Sequence, residues 1–220
     1  MRLALFDLDN TLLSGDSDYE WGRFLASLGV IDGPDYEAKN LEYYERYKAG
    51  TLDILEFLAF ALAPLASHAR AQLDAWHDRF MRERILPMIG APARALVERH
   101  RAAGDLCAVV TATNRFVTAP IAREFGVAHL VATEPECVDG RFTGRVAGTP
   151  CFREGKIGCV EQWLAGLGHS LGSISASHFY SDSMNDLPLL ERVSHPVVVD
   201  PDESLAIEAA RRGWPVITLR

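Results

Sequence analysis

Short apolar runs and longer helical periods alternate along the chain, and chemically distinctive polar groups fall just after the apolar runs. Leu3 to Phe6 is a brief apolar stretch halted by Asp7, the signature of a buried parallel strand ending at an acidic turn. From Asp16 to about Arg84 the period changes. Trp21, Phe24, Leu25 and Leu28, then Ile54, Leu55, Leu58 and Leu62, then Leu73, Trp76 and Phe80 recur at helical spacing. Gly29, the Asp32-Gly33-Pro34 cluster, Gly50 and Pro64 punctuate this stretch, so it predicts three or four helices and no strand.

Beyond Pro87 strands and helices alternate in βαβ order. A helix is expected from Ala93 to Ala103 with Gly104 as its stop, then a strand from Leu106 to Val110. Pro120 within the helical pattern Asn114 to Phe125 implies a late start near Thr118 or a kink. A strand from Val127 to Ala132 comes next. Cys137 to Val146 reads as a hairpin, because Asp139-Gly140 suits a tight two-residue turn with positive φ. A helix from Lys156 to Leu167, a strand from His178 to Ser181, a helix from Asn185 to Glu191, a strand from Pro196 to Val199, a helix from Glu203 to Arg211 and a strand from Pro215 to Leu219 complete the pattern. The fold class is α/β: a doubly wound, Rossmann-like parallel sheet formed by residues 1–15 and 86–220, with a small helical cap, residues 16–85, inserted after the first strand. Such sheets bind ligands at the carboxyl ends of their strands.

Composition narrows the function classes. The 220 residues are 48% apolar and 24% charged, as in a globular protein with a packed core. A formal charge of -8 repels phosphate backbones and anionic lipid, which argues against a nucleic-acid or membrane partner. The apolar start is broken at Asp7, too early for a signal segment or a span, and a cytoplasmic protein is expected. Cys107, Cys137, Cys151 and Cys159 form no Cys-x-x-Cys pair, and the seven histidines share no ligand spacing, so neither set is given a metal or disulfide role.

Four separated segments place reactive groups after expected strands: Asp7 and Asp9, Thr111, Lys156 at a helix start, and Asp182 with Asp186. Carboxylates leaving two strands make a hard-oxygen site suited to Mg²⁺, and a lysine and a hydroxyl beside them complement phosphate oxygens. Taken singly, each segment has an ordinary explanation as a turn, a helix cap or a solvated lysine. Together they do not.

At Asp7-Leu8-Asp9-Asn10-Thr11, Thr111, Lys156 and Ser181-Asp182-Ser183-Met184-Asn185-Asp186 the chain resembles the haloacid dehalogenase superfamily of phosphohydrolases. The placing of the helical insert resembles the branch that contains phosphoserine phosphatase. That resemblance implies attack on phosphorus by Asp7 to form an aspartyl phosphate, with Asp9 protonating the leaving alcohol and later activating water. It implies Mg²⁺ held by Asp7, the Asp9 carbonyl and Asp182, with Asp186 in support. Thr111 would bond a phosphoryl oxygen, Lys156 would neutralise charge between Asp7 and the phosphate, Asn185 would lie near the same oxygens, and Asn10 and Asn114 would add amide donors.

The insert carries specificity. In phosphoserine phosphatases an acid shortly after the first motif binds the serine ammonium and a later arginine binds its carboxylate. Here the acid falls on Asp16, with Asp18 and Glu20 close by, while the arginine position falls on Ala61, and Lys48 to His68 contains no arginine. An amine substrate without a carboxylate therefore fits better. Histidinol phosphate is favoured, its ammonium on Asp16 and its ring against Trp21, Tyr43, Tyr44 or Phe57. Arg46 and Arg115 remain as anion partners for phosphoserine, the alternative substrate. From other classes the rivals are a phosphomutase or phosphotransferase, which passes the same phosphoryl group to an alcohol, and a receiver-type module in which Asp7 is phosphorylated as a signal.

Overall fold

The computed structural model describes residues 1–220. Six parallel strands, β1 (Arg2–Phe6), β2 (Leu106–Asn114), β3 (His129–Thr133), β6 (Ala176–Ser181), β7 (His195–Val199) and β8 (Val216–Ile217), pair in the order β3-β2-β1-β6-β7-β8. β4 (Pro135–Val138) and β5 (Arg141–Val146) form a separate antiparallel hairpin, turned at Asp139 and Gly140 with φ of 50° and 76°. Both angles lie in the left-handed region, as an Asp-Gly turn requires.

β1 lies at the centre because it is apolar along its length: Leu3, Leu5 and Ala108 pack on one face and Ala4, Phe6 and Val109 on the other. Burial on both faces explains why these strands read as continuous apolar runs rather than alternating ones. The chain leaves β1 toward β2 and β3 on one side and returns to β6 on the other. The carboxyl ends of β1, β2 and β6 therefore meet where the strand order reverses, the place at which such sheets open a crevice.

Helices α1 (Ser17–Ser27), α2 (Gly33–Lys48), α3 (Ile54–Ser67) and α4 (Arg70–Phe80) all fall between β1 and β2, followed by α5 (Ala91–Ala102). Asp16 caps α1 and Asp53 caps α3 through bonds to amide hydrogens. Pro64 does not punctuate the insert as expected: it lies inside α3, which runs on to Ser67. α6 (Arg115–Glu124) also starts earlier than Pro120 suggested, because the Asn114 side chain accepts from Val117 N and the Thr118 hydroxyl donates to the Asn114 carbonyl, closing the first turn. α7 (Glu154–Gly166), α8 (Leu187–Leu190) and α9 (Glu203–Arg212) complete the fold. The helix expected from Asn185 is shorter, since Met184–Asp186 forms a separate tight turn capped by Ser183. Trp21 is not a cavity aromatic; it is 1% exposed and packs with Phe24, Phe80 and Phe116 in the core. No single helix is long and apolar enough to cross a membrane.

Candidate functional site

The chain geometry after β1 sets out the first carboxylates. Asp7 continues the ladder by donating its N–H to the Tyr180 carbonyl at 2.9 Å, and the backbone then reverses at Asn10, whose φ of 58° is left-handed. Asn and Asp tolerate that region better than other side chains carrying a Cβ. The loop closes with Asn10 N on Gly15 O at 2.9 Å, which brings the start of α1 back so that Ser17 N donates to Asp9 Oδ1 at 2.6 Å. Asp7 and Asp9 thus both face the mouth of the sheet in different surroundings.

β2 supplies hydroxyls through an irregularity. Thr111 is paired with Ala132 and Asn114 with the next residue, Thr133, so Ala112 and Thr113 bulge from the register. The Thr113 hydroxyl donates to Asp9 Oδ2 at 2.8 Å and that of Thr111 lies 3.4 Å from the same oxygen. Bulges commonly re-aim side chains beside active sites.

Lys156, on the first turn of α7, is 2% exposed and its Nζ reaches Asp7 Oδ1 at 2.7 Å and Asp186 at 2.7 Å. Asp186 also accepts from the Ser181 hydroxyl at 2.7 Å. Burial works against the ammonium, but the carboxylates of Asp186 and Asp7 outweigh it and hold Lys156 protonated. Burial pushes Asp7 up, opposed by Lys156. Asp9 is also raised by burial, against the bonds from Ser17 and Thr113 that hold it down.

Asp182, at the end of β6, is joined to this group by Thr11. The Thr11 hydroxyl donates to Asp182 Oδ1 at 2.7 Å, accepts from Asp182 N at 3.0 Å and lies 3.3 Å from Asp7 Oδ2. Burial, then the neighbouring Asp7, raises Asp182 well above the usual carboxylate range. Lys156 is thus the one ammonium among Asp7, Asp9, Asp182 and Asp186 and pairs with two of them, a local excess of negative charge that a divalent cation would offset. No three His, Cys, Asp or Glu side chains enclose an ion by themselves. A cation here would take the Asp7 and Asp182 carboxylates, a backbone carbonyl and exogenous oxygens, which is the donor set Mg²⁺ prefers.

A cavity opens over these groups, lined by Asp7, Asp9, Thr111, Thr113, Lys156 and Asp186 on the sheet side. Asp16, Asp18, Tyr19, Asn40, Tyr43, Tyr44, Tyr47 and Phe57 line it from α1, α2 and α3. Asp16 accepts from Tyr19 N at 2.8 Å; burial first, then Asp9, raises it well above its ordinary value. Lys156 is the one basic residue in the lining.

Other residues singled out from the sequence lie elsewhere. Arg115 is drawn away to Glu134 and donates to the Leu130 carbonyl at 2.8 Å, so it is no anion partner at this cavity. Arg46 pairs with Glu56 at 3.1 Å on the outside of the insert, and Ala61 is buried within α3. Asn114 caps α6 through its Oδ1 while its buried Nδ2 meets no acceptor, and Asn10 acts through its backbone; neither lines the cavity. Asn185 points to the insert: its Oδ1 accepts from Arg153 Nε at 3.0 Å and its Nδ2 donates to the Tyr47 carbonyl at 3.1 Å. Sequence reasoning passed over Thr11, Thr113 and Arg153. The first two carried a signal, a hydroxyl two positions after Asp9 and Thr111 respectively; Arg153 carried none.

The family model of the haloacid dehalogenase-like hydrolases matches residues 4–191. The chain is 46% identical over 220 residues to a histidinol-phosphatase of Neisseria meningitidis serogroup C, covering 100% of this chain and 99% of that one. It is 33% identical over 220 residues to a phosphoserine phosphatase of Mycobacterium tuberculosis, covering 99% of this chain and 70% of that one. A crystal structure of a protein of unknown function from Bordetella pertussis Tohama I shares the fold with a TM-score of 0.95 at 54% identity, covering 100% and 99%. A substrate-bound phosphoserine phosphatase superposes with a TM-score of 0.71 at 19% identity, covering 98% and 91%. With its sheet order, the carboxylates at the ends of β1 and β6, and a family match along most of its length, the chain belongs to the haloacid dehalogenase-like hydrolases.

Proposed function

We propose that this enzyme, a phosphoric monoester hydrolase, cleaves histidinol phosphate or a closely similar phosphorylated amine that carries no carboxylate. The observation that carries the reading is the composition of the cavity. Asp16 and Asp18 face it with tyrosines and Phe57, and its one cation, Lys156, is already engaged by Asp7 and Asp186. A substrate carboxylate brought there would meet like charge without a partner, at a cost of several kcal/mol. An ammonium meets Asp16, and an aromatic ring meets Tyr43, Tyr44 and Phe57. The histidinol-phosphatase relative supports the same substrate.

In this reading Asp7 Oδ2 attacks phosphorus while Lys156 holds Oδ1, and Asp9 protonates the departing alkoxide and then takes a proton from the water that releases phosphate. Thr111 bonds a phosphoryl oxygen, and Lys156 neutralises charge shared between Asp7 and the phosphate. Mg²⁺ is the cofactor, held by Asp7, the Asp9 carbonyl and Asp182 and supported by Asp186; when bound it stabilises charge on the transferring group. Residues 16–85 act as a cap that excludes water from the aspartyl phosphate and selects the leaving group. The partner is a small phosphorylated metabolite. Four unpaired cysteines accord with a reducing, cytoplasmic setting.

Phosphate release from histidinol phosphate, phosphoserine, phosphoethanolamine and sugar phosphates, with Mg²⁺ and with Asp7→Asn as control, tests this. Histidinol phosphate is expected to lead phosphoserine by about a hundredfold in kcat/KM, or ~2.7 kcal/mol. A lead for phosphoserine overturns the substrate, and an active Asp7→Asn overturns the nucleophile. Transfer to added alcohols in preference to water would turn the reading to a phosphotransferase.

A further inference from the structure

Resting on that reading, one buried group in the cavity has no role in the phosphoryl chemistry. Asp18 is 8% exposed, lines the cavity, and its Oδ2 meets no hydrogen-bond donor. Its place on α1 does not account for this. Asp16, not Asp18, caps the helix, and an acid in the first turn gains only about 0.3–1 kcal/mol from the helix dipole, less than burying an unpartnered carboxylate costs.

No side chain around Asp18 donates to its Oδ2, and Ser17 Oγ and Trp21 Nε1 on the same helix are likewise buried without a partner. Asn40 is the buried amide on α2, but its Nδ2 is directed to the Tyr19 carbonyl at 3.0 Å. One turn beyond Asp18 is Gly22, where an added Cβ would stand 2.7 Å from the Tyr36 ring and 2.9 Å from Asn40 Nδ2. The absent side chain lets α2 close against α1 beside Asp18.

We propose that Asp18 is a second substrate subsite, distinct from the ammonium site at Asp16, which accepts a hydrogen bond from the ring N–H of an imidazole or similar nitrogen heterocycle carried by the leaving alcohol. A desolvated acceptor in a ligand cavity, with no protein donor, is satisfied only by a donor on the ligand. Tyr43, Tyr44 and Phe57 wall the same space and suit a planar ring. An imidazole combines a flat body with an N–H and titrates near the ordinary histidine value of about 6.5, so it reaches Asp18 as a cation or as a neutral donor.

The test is a comparison of two substrates that differ only in the ring: histidinol phosphate and phenylalaninol phosphate, with the parent, Asp18→Asn and Asp18→Leu. For histidinol phosphate both variants are expected to raise KM about ten- to hundredfold with little change in kcat, as loss of a bond to a charged group implies. For phenylalaninol phosphate KM should stay as in the parent or improve with leucine. An equal rise for both substrates assigns Asp18 a structural role, and no rise for either removes it from the site; each result overturns the proposal. If the parent fails to hydrolyse histidinol phosphate, the function proposed above falls. Asp18 is then decided separately by 4-methylimidazole as a probe, which must raise the melting temperature of the parent but not that of Asp18→Leu.

Discussion

A carboxylate kept in a dry corner for the sake of a ligand should weaken the free protein, and Asp18→Asn measures by how much. Burial, with a smaller contribution from Asp9, raises Asp18 from an ordinary 3.8 to about 7. Below about pH 3 the group is largely protonated in the folded and unfolded chains alike, and the parent and the variant should be nearly equally stable. As the pH rises the unfolded chain ionises first, while the folded one keeps its proton until about 7. The parent therefore loses stability relative to Asp18→Asn between those values, and above them the difference is complete. The shift corresponds to about 4 kcal/mol, a ceiling that water entering the cavity reduces. For a chain of this length each kcal/mol moves the melting temperature by about 2–4 °C, so the ceiling for the variant is a rise of about 8–16 °C at pH 9, falling to a degree or two at about pH 4. Urea unfolding of both proteins across that range, without ligand, supplies the free energies. A variant that is less stable than the parent at pH 9, or a difference that does not change with pH, would refute the idea that Asp18 is desolvated and unpartnered.

Lys156→Ala leaves Asp7 and Asp186 buried without their cation, and should cost about 3–5 kcal/mol in urea unfolding as well as abolishing turnover; a variant as stable as the parent would show that the ion triad is not what holds these strand ends together. Thr113→Val removes the 2.8 Å bond that favours ionised Asp9. The alkaline limb of kcat/KM, where Asp9 ceases to be a general acid, should then move upward by about one pH unit, and an unmoved limb would take the acid role from Asp9. Chelation with EDTA should silence the enzyme and Mg²⁺ should restore it. The same ion should stabilise the parent but not Asp182→Asn against unfolding, by ~2.7 kcal/mol at a hundredfold excess over its Kd; equal stabilisation of both would place the cation elsewhere.

The sheet and its reactive edge were legible because their signals are local. A parallel strand buried on both faces is an apolar run, and the residues directly after it in the chain stand at its carboxyl end in space, so Asp7 and Asp182 could be placed from the pattern alone, whereas Thr111, expected just past a strand ending at Val110, lies inside β2, which runs on to Asn114. Lys156 was readable for a different reason, since it opens a helix that comes after a turn and packs beneath the same edge. Positions that depend on contacts between distant segments were not readable. Asn114 resembles a phosphate donor in sequence, yet a helix begins directly after it and its oxygen caps that helix, which leaves its buried Nδ2 outside the cavity lining. Arg115 is claimed by Glu134, and Trp21, aromatic and within the insert, is buried at the junction of α1 with α4 and α6. Proline misled in the same way: Pro64 and Pro120 mark breaks in an isolated helix, but packing on both sides carries α3 and α6 through them.

The link between the insert and the sheet shows how specificity and chemistry are joined. Arg153 holds a left-handed φ of 50° at the entry to α7, from where it donates to Asn185 and to the Gly50 carbonyl, while Asn185 donates to the Tyr47 carbonyl. The last turn of α2 is thereby tied to the segment that carries Asp182 and Asp186. α2 is also the helix that brings Tyr43, Tyr44 and Tyr47 into the cavity. On the proposed function, a leaving group that fits those rings would be held against the same framework that carries Asp182 and Asp186, and its contact with the tyrosines of α2 would go to orienting the phosphoryl group toward Asp7. Truncating the ring to a simple ethanolamine should therefore lower kcat as well as raise KM, which sets this cavity apart from one that merely admits small phosphates.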